Sequence, residues 1–262
     1  MLDNLSGGRM ILGLGRGAGK VEFDGFRLDM GESRERFVES AEMILQGLER
    51  GYCEYDGRFV KQARRDIRPR PFRSFRGRSY AAAVSPESSQ IMARLGVGLL
   101  VIPQKPWPTV VQELDAYRKA YREVNGEDAP PPIVAGWVYV DEDAAAAEAG
   151  ARQYIERYYQ TVIDHYELTG THLQSTKGYE MYGALQGKMR ETGGPKQMTD
   201  FFVGLHPWGT PEQVHAKIRE IQRLTGCESF VALFSYGGMP YELAERNMRL
   251  FAKTVMPELK AS

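Results

Sequence analysis

Leu5-Ser-Gly-Gly-Arg-Met-Ile-Leu-Gly-Leu-Gly-Arg-Gly17 reads as a turn, a short buried strand and a glycine-rich loop carrying one arginine. Ser6-Gly7-Gly8 is turn chemistry. Met10 to Leu14 is an apolar run of strand length, broken only by Gly13. Gly13, Gly15 and Gly17 carry no Cβ, so the backbone can bend there and pass close to a ligand. Arg16 follows at the carboxyl end of the strand, where its planar fork of donors suits a phosphate.

Two familiar phosphate motifs are excluded in this stretch. Gly13-Leu-Gly-Arg-Gly-Ala18 fits the dinucleotide pattern G-x-G-x-x-A, but that pattern needs a helix opening directly from the loop. Gly19-Lys-Val-Glu-Phe-Asp-Gly25 reads as loop instead, and helical periodicity starts near Glu32. The pattern G-x-x-x-x-G-K-[ST] fails at both ends, since its first glycine would be Leu14 and its last position is Val21.

Outward from this stretch, strands and helices alternate. Glu32 to Arg50 is a helix with Phe37, Ala41, Ile44, Leu45 and Leu48 at helical spacing, ended by Gly51. Tyr52 to Phe59 around Asp56-Gly57 is a hairpin, because Asp-Gly favours the tight turn. Ser79 to Val84 is a strand, Pro86 to Leu95 a helix, and Val97 to Ile102 a strand apolar enough to be buried on both faces. Pro108 to Asn125 is a helix with Val111, Leu114, Tyr117 and Tyr121 on one stripe. Ile133 to Val140 is a strand, followed by a long helix from Asp141 to Tyr166 with Asp141 as its cap. Thr210 caps the next helix and Pro211 suits its first position. Ser229 to Phe234 is the last strand, and Tyr241 to Val255 the last helix. Five alternating units, headed by Met10, Ser79, Val97, Ile133 and Ser229, mean a parallel α/β sheet. An open sheet and a barrel share that pattern, and five units are too few to close an eight-stranded barrel. Glu167 to Leu205 has no clean period and reads as a mobile loop or insertion.

Composition limits the function classes. Thirty-four basic and 34 acidic side chains give a formal net charge of zero, which argues against a nucleic-acid or polybasic membrane surface. Arg64 to Arg78 holds seven arginines and reads as a solvated loop in preference to a basic patch. No apolar run approaches transmembrane length. Cys53 and Cys227, with no signal peptide, suit reduced thiols in a cytoplasm. Two lone cysteines and four histidines without H-x-x-x-H spacing make no metal site.

A second phosphate signal lies at Ala81-Ala-Ala-Val-Ser-Pro-Glu-Ser88, a strand running into a helix start. Ser85 is at the cap, Pro86 at the first helical position, and Ser88 two residues on. The free amides and dipole of such an end attract anions. The plainer alternative is that Ser85 only caps the helix. Strands headed by Met10 and Ser79 should be neighbours, which would set Arg16 beside Ser85 and Ser88 at the carboxyl ends where parallel α/β folds bind ligands.

Leu2-Asp-Asn-Leu-Ser-Gly-Gly-Arg-Met10 with Gly13-Leu-Gly-Arg-Gly17, and Ala83-Val-Ser-Pro-Glu-Ser88, resemble the bacterial luciferase-like family of flavin monooxygenases. Gly209-Thr-Pro-Glu-Gln-Val214, Gly237-Gly-Met-Pro240, Asn247-Met-Arg-Leu-Phe251 and Val255-Met-Pro257 are similar to that family's last two helical units. The resemblance runs from about Leu2 to Leu259. It implies a single (β/α)₈ TIM-barrel type domain over residues 1–262, with about five of eight units present. The first three units, roughly 90 residues at about 30 per unit, would precede Leu2. It also implies an FMN phosphate held by Arg16, Ser85 and Ser88 and by the backbone of Pro86-Glu87-Ser88. Reduced FMN and O₂ would oxidise a small organic substrate, with a separate NAD(P)H-dependent flavin reductase as partner and a homodimer as a further expectation. His165, Tyr166 and His172 lie near the start of the family's mobile loop, where they could line a substrate site; the alternative is a helix end with solvated polar residues. Relatives in the family use a deazaflavin instead of FMN, and a fragment that only binds flavin is the non-catalytic alternative.

Overall fold

The computed structural model of the chain describes residues 1–83, 85–168, 170, 172–180 and 195–261. They form two compact units, the first from residues 1–100, 113–131 and 176–178, the second from 101–112, 132–175 and 179–262.

In the first unit, strands β1 (Leu12–Leu14), β4 (Ser79–Ala82) and β5 (Gly98–Val101) run parallel in the order β1-β4-β5. Leu12 pairs with Ser79 and Leu14 with Ala81, so the carboxyl ends of β1 and β4 lie side by side. The hairpin β2 (Tyr52–Asp56) and β3 (Lys61–Asp66) is antiparallel and longer than the Asp-Gly signal implied. Helix α1 (Lys20–Gly25) occupies a stretch that reads as loop; six residues are too few to show a period. Helix α2 (Ser33–Arg50) ends at Gly51 with φ +79°, a left-handed cap that glycine adopts without penalty. Helix α3 (Pro86–Leu95) follows β4; α4 (Trp107–Asn125) follows β5 and belongs to this unit from Glu113 onward. Leu114, Tyr117 and Tyr121 are buried on the stripe that the periodicity marks, and the Tyr117 hydroxyl donates to the Val97 carbonyl at 2.7 Å.

β1 is shorter and more exposed than a buried strand: none of its three residues is buried, and Ile11 just before it is 51% exposed. It stands at one end of the strand order, and among the described residues only β4 pairs with it. Six of the seven arginines of the arginine-rich stretch are exposed, as the solvated reading expects, although Lys61–Asp66 is strand and Arg78 is buried. Arg73 Nε donates to the Gly8 carbonyl at 2.8 Å, and Arg64 lies over the Tyr52 ring.

In the second unit, β6 (Ile133–Trp137) pairs in parallel with β9 (Ser229–Leu233), and β7 (Tyr139–Val140) with β8 (Trp208–Gly209). The single run Ile133 to Val140 is thus split at Val138, whose N–H donates to the Leu233 carbonyl at 2.9 Å. Helix α5 (Ala144–His165) is capped by Asp143, not Asp141: the Asp143 carboxylate accepts from Ala146 N at 2.7 Å. Asp141 instead accepts from Asp143 N and pairs with Arg246. Helix α6 (Pro195–Leu205) lies within the stretch that shows no clean period, and it buries Phe202, Val203 and Leu205. The rest of that stretch falls in part outside the described residues. Helix α7 (Pro211–Thr225) has Thr210 as cap, with Gln213 completing a reciprocal box. Helix α8 (Tyr241–Thr254) buries Asn247, which accepts from Val140 N at 2.7 Å and donates to the Leu243 carbonyl at 3.1 Å.

No helix among the described residues is long and apolar enough to cross a membrane. Cys53 and Cys227 are free thiols.

Candidate anion site

The site is built from the carboxyl ends of β1 and β4 and from the first turns of α2 and α3. After β1 the chain turns through Gly17 at φ +83°, a left-handed conformation that glycine adopts without strain. A Cβ on Gly15 would meet no protein atom within 4 Å, so packing within the protein does not require glycine there. Arg16 projects between these glycines and its Nη1 donates to the Gly178 carbonyl at 3.1 Å.

Arg34, in the first turn of α2, donates from Nη2 to the same Gly178 carbonyl at 3.2 Å. Its Nη1 pairs with the Glu87 carboxylate in the first turn of α3, while its Nε is buried with no partner among the described residues. Sequence reasoning missed Arg34. It lies in Glu32-Ser-Arg-Glu-Arg36, where a charge at a helix start reads as solvated, and the only available signal was that an arginine there works against the helix dipole.

Ser85 caps α3 in an extended conformation, and its Oγ accepts from Ser88 N at 3.2 Å. The Ser85 hydroxyl donates to Ser88 Oγ at 2.9 Å. This corrects two parts of the expected cradle. Pro86 has no N–H to give, so its contribution is the fixed φ of the turn. The Ser88 amide is already engaged by the cap. Glu87 N–H is left, together with the Ser88 hydroxyl.

Arg16 and the Ser85–Ser88 turn are thus joined through a chain of polar contacts, Arg16 to the Gly178 carbonyl to Arg34 to Glu87. Beside it Lys177 pairs with Glu35, and that contact holds the Glu35 carboxyl below its ordinary range. The donors that converge here are two guanidiniums, a hydroxyl and a helix start. They suit a phosphate monoester in number and charge.

His165, Tyr166 and His172 lie in the second unit. His165 and Tyr166 make an edge-to-face ring contact at the end of α5, centroids 5.1 Å apart. His172 Nδ1 stands 3.9 Å from Glu167 Oε2. The second unit also buries a histidine the sequence did not single out. His206 is 2% exposed, with both ring nitrogens unpartnered among the described residues. Trp137 and Phe202 contact it edge-on at 4.7 and 4.6 Å. Burial among these rings holds its imidazole neutral, with a pKa pushed down to about 3.

Residues 1–227 match the family model for luciferase-like monooxygenases. The alkanal monooxygenase alpha chain of Photobacterium leiognathi is 26% identical over 99% of this chain and 73% of its own length. The monooxygenase RslO1 of Streptomyces bottropensis superposes with a TM-score of 0.76 at 26% identity, over 98% of this chain and 71% of that one. The oxygenating constituent of 3,6-diketocamphane monooxygenase from Pseudomonas putida, solved with FMN, shares the fold at a TM-score of 0.66 and 16% identity, over 98% of this chain and 73% of that one. The five parallel strands with their helices are of the (β/α)₈-barrel type found in these proteins. The chain belongs to the luciferase-like monooxygenase family.

Proposed function

We propose that the chain is a flavin-dependent monooxygenase that uses reduced FMN and O₂ to oxidise a small organic substrate. The observation that carries this reading is the convergence of Arg16, Arg34 and the Ser85-capped start of α3 at the carboxyl ends of two parallel strands. Arg16, Arg34, the Ser88 hydroxyl and Glu87 N–H would hold the flavin phosphate, and Ser85 and Pro86 would fix the turn. Bound reduced flavin supplies the two electrons that activate dioxygen.

The chain's own residues orient and neutralise. Two guanidiniums offset the phosphate charge, and the planar fork of each allows two parallel hydrogen bonds. The N-terminal dipole of α3 adds to the same field. The Glu87 carboxylate would repel a phosphate, and its pairing with Arg34 turns that charge to use by fixing the guanidinium. A separate NAD(P)H-dependent reductase would deliver the reduced flavin.

Titration of flavin fluorescence and measurement of oxygen uptake test the proposal. The chain should bind FMN, and reduced FMN should support formation of a carboxylic acid from an added alkanal, used as the probe substrate. Unchanged flavin emission at all protein concentrations would overturn the reading. Turnover with a reduced deazaflavin and none with reduced FMN would replace it by a hydride-transferring activity.

A further inference from the structure

Residues 58–78 carry nine basic side chains and one acidic one, although the whole chain has no net charge. Arg64, Arg65, Arg70 and Arg73 are exposed, and none of them forms an ion pair among the described residues. The one acidic residue, Asp66, pairs with Arg68 at 2.8 Å. Helix α2 brings three carboxylates to the hairpin and the loop after it, yet each is engaged in holding them. Glu39 accepts from the amides of Arg58, Phe59 and Val60 at 3.0, 2.8 and 2.9 Å. Glu42 accepts from the Tyr55 hydroxyl at 2.5 Å, and Glu49 from the Ser74 hydroxyl and Phe75 N at 2.9 and 2.8 Å. The backbone is thus fixed while four guanidiniums keep their charge uncompensated. Phe72 stands between Arg70 and Arg73 in the chain, 61% exposed, with its amide held by Asp3 at 2.8 Å.

We propose that the arginine face of the β2–β3 hairpin and of loop 67–76 is a docking surface for an acidic segment of another protein, with Phe72 receiving one of that segment's apolar side chains. The residue types carry the choice of partner. A solvated face has no need of arginine in preference to lysine, and here lysine occurs once, at Lys61. Protein interfaces favour arginine and aromatic rings and disfavour lysine. Guanidinium also meets a carboxylate through two parallel hydrogen bonds. A long polyanion or an anionic lipid sheet fits less well, because the rest of the chain carries an acidic excess that repels any charged surface reaching past the arginines. Arg64 over Tyr52 and Arg70 against Gly51 stand at the last turn of α2, whereas Arg34 of the candidate anion site is in its first turn. The partner therefore leaves that site open.

The test uses the full chain and a fluorescent synthetic peptide of glutamates around one leucine, read by anisotropy. The wild type should bind it, more weakly as salt rises. Arg64→Gln, Arg65→Gln and Arg70→Gln combined should weaken binding roughly tenfold or more, since each exposed ion pair contributes modestly. Arg118→Gln, Lys119→Gln and Arg122→Gln combined remove as many charges from α4 and should leave binding unchanged. Phe72→Ala should weaken the leucine peptide and not an all-glutamate peptide, which keeps the test decisive if the first triple variant fails to fold. No binding by the wild type would overturn the docking face, and so would equal affinities of the two triple variants. Phe72→Ala without effect on the leucine peptide would overturn the apolar contact. Tighter binding of a single-stranded oligonucleotide or of phosphatidylserine vesicles than of the peptide would overturn an acidic protein segment as the occupant.

Discussion

Arg78 forks onto both carboxylate oxygens of Asp3, Nη1 to Oδ1 at 2.6 Å and Nη2 to Oδ2 at 3.0 Å. The same guanidinium donates to the Ser74 and Met10 carbonyls at 2.6 Å each and lies over the Phe75 ring. Asp3 also accepts from Phe72 N at 2.8 Å. This clip joins the helical turn Leu2–Leu5, the start of β1 and the loop before β4. The Arg78 bond holds the Asp3 carboxyl down at about 2, against an ordinary value of 3.8. Because the folded value is the lower one, the stabilisation is complete above about pH 4 and drains away as pH falls through about 2. Asp3→Asn should lower the melting temperature at pH 7, since it leaves a buried guanidinium uncompensated. The gap from the wild type should close between pH 4 and pH 2; a gap that does not change across that range would show that the carboxylate charge is not what stabilises.

His206 gives the chain a second acid sensitivity, in a higher pH range. Its folded pKa of about 3 lies below the ordinary 6.5, so the unfolded chain takes up the proton first. Stability is complete above about pH 6.5 and should fall by about 1.4 kcal/mol per pH unit below it, until the folded value is reached. His206→Phe should flatten urea-unfolding midpoints between pH 6.5 and pH 4. At pH 7 it should cost little, because it removes ring nitrogens that have no partner. An unaltered pH slope in the variant would assign the acid response to other groups.

Thr210→Ala tests the cap of α7. The Thr210 hydroxyl accepts from Gln213 N, and Gln213 Oε1 accepts from Thr210 N at 2.9 Å. Loss of the hydroxyl should cost about 1 kcal/mol, measured by urea unfolding. A companion Gln213→Ala variant should lose a comparable amount, since each half of the box supports the other.

Arg16→Ala tests the anion site directly. A hydrogen bond to a charged group contributes roughly 1.5–3 kcal/mol, so FMN should bind about 10- to 150-fold more weakly. Riboflavin, which has no phosphate, should bind the variant and the wild type alike. Equal losses for both flavins would place Arg16 away from the phosphate.

What was legible in the sequence was local chemistry. Ser85-Pro86 and Thr210-Pro211 mark helix starts because cap and first position are set by neighbours in the chain. The apolar runs near Met10, Ser79, Val97, Ile133 and Ser229 mark strands because each is short, apolar and bounded by turns. Where the reading went wrong, a nearby residue of similar type competed. Asp141 and Asp143 are equivalent by composition, and only the backbone geometry selects Asp143. Arg34 and His206 could not be found, because what matters about them is what they meet. Arg34 meets a carbonyl 144 positions away, and His206 meets Trp137 from another element. Neither pairing leaves a periodicity in a single sequence.

β1 has β4 on one flank, and among the described residues no strand covers the other. An uncovered flank of a sheet is a template on which another chain can polymerise. With three residues and glycine at its centre, β1 offers too little rigid backbone to seed such growth. Among the described residues, its brevity limits how much backbone that flank presents. Gly13→Val should offset that limit, since a Cβ there meets no protein atom within 4 Å and a branched side chain stiffens the strand. Light scattering during refolding should rise in this variant while its circular dichroism stays native; unchanged scattering would show that the length and stiffness of β1 do not govern edge pairing.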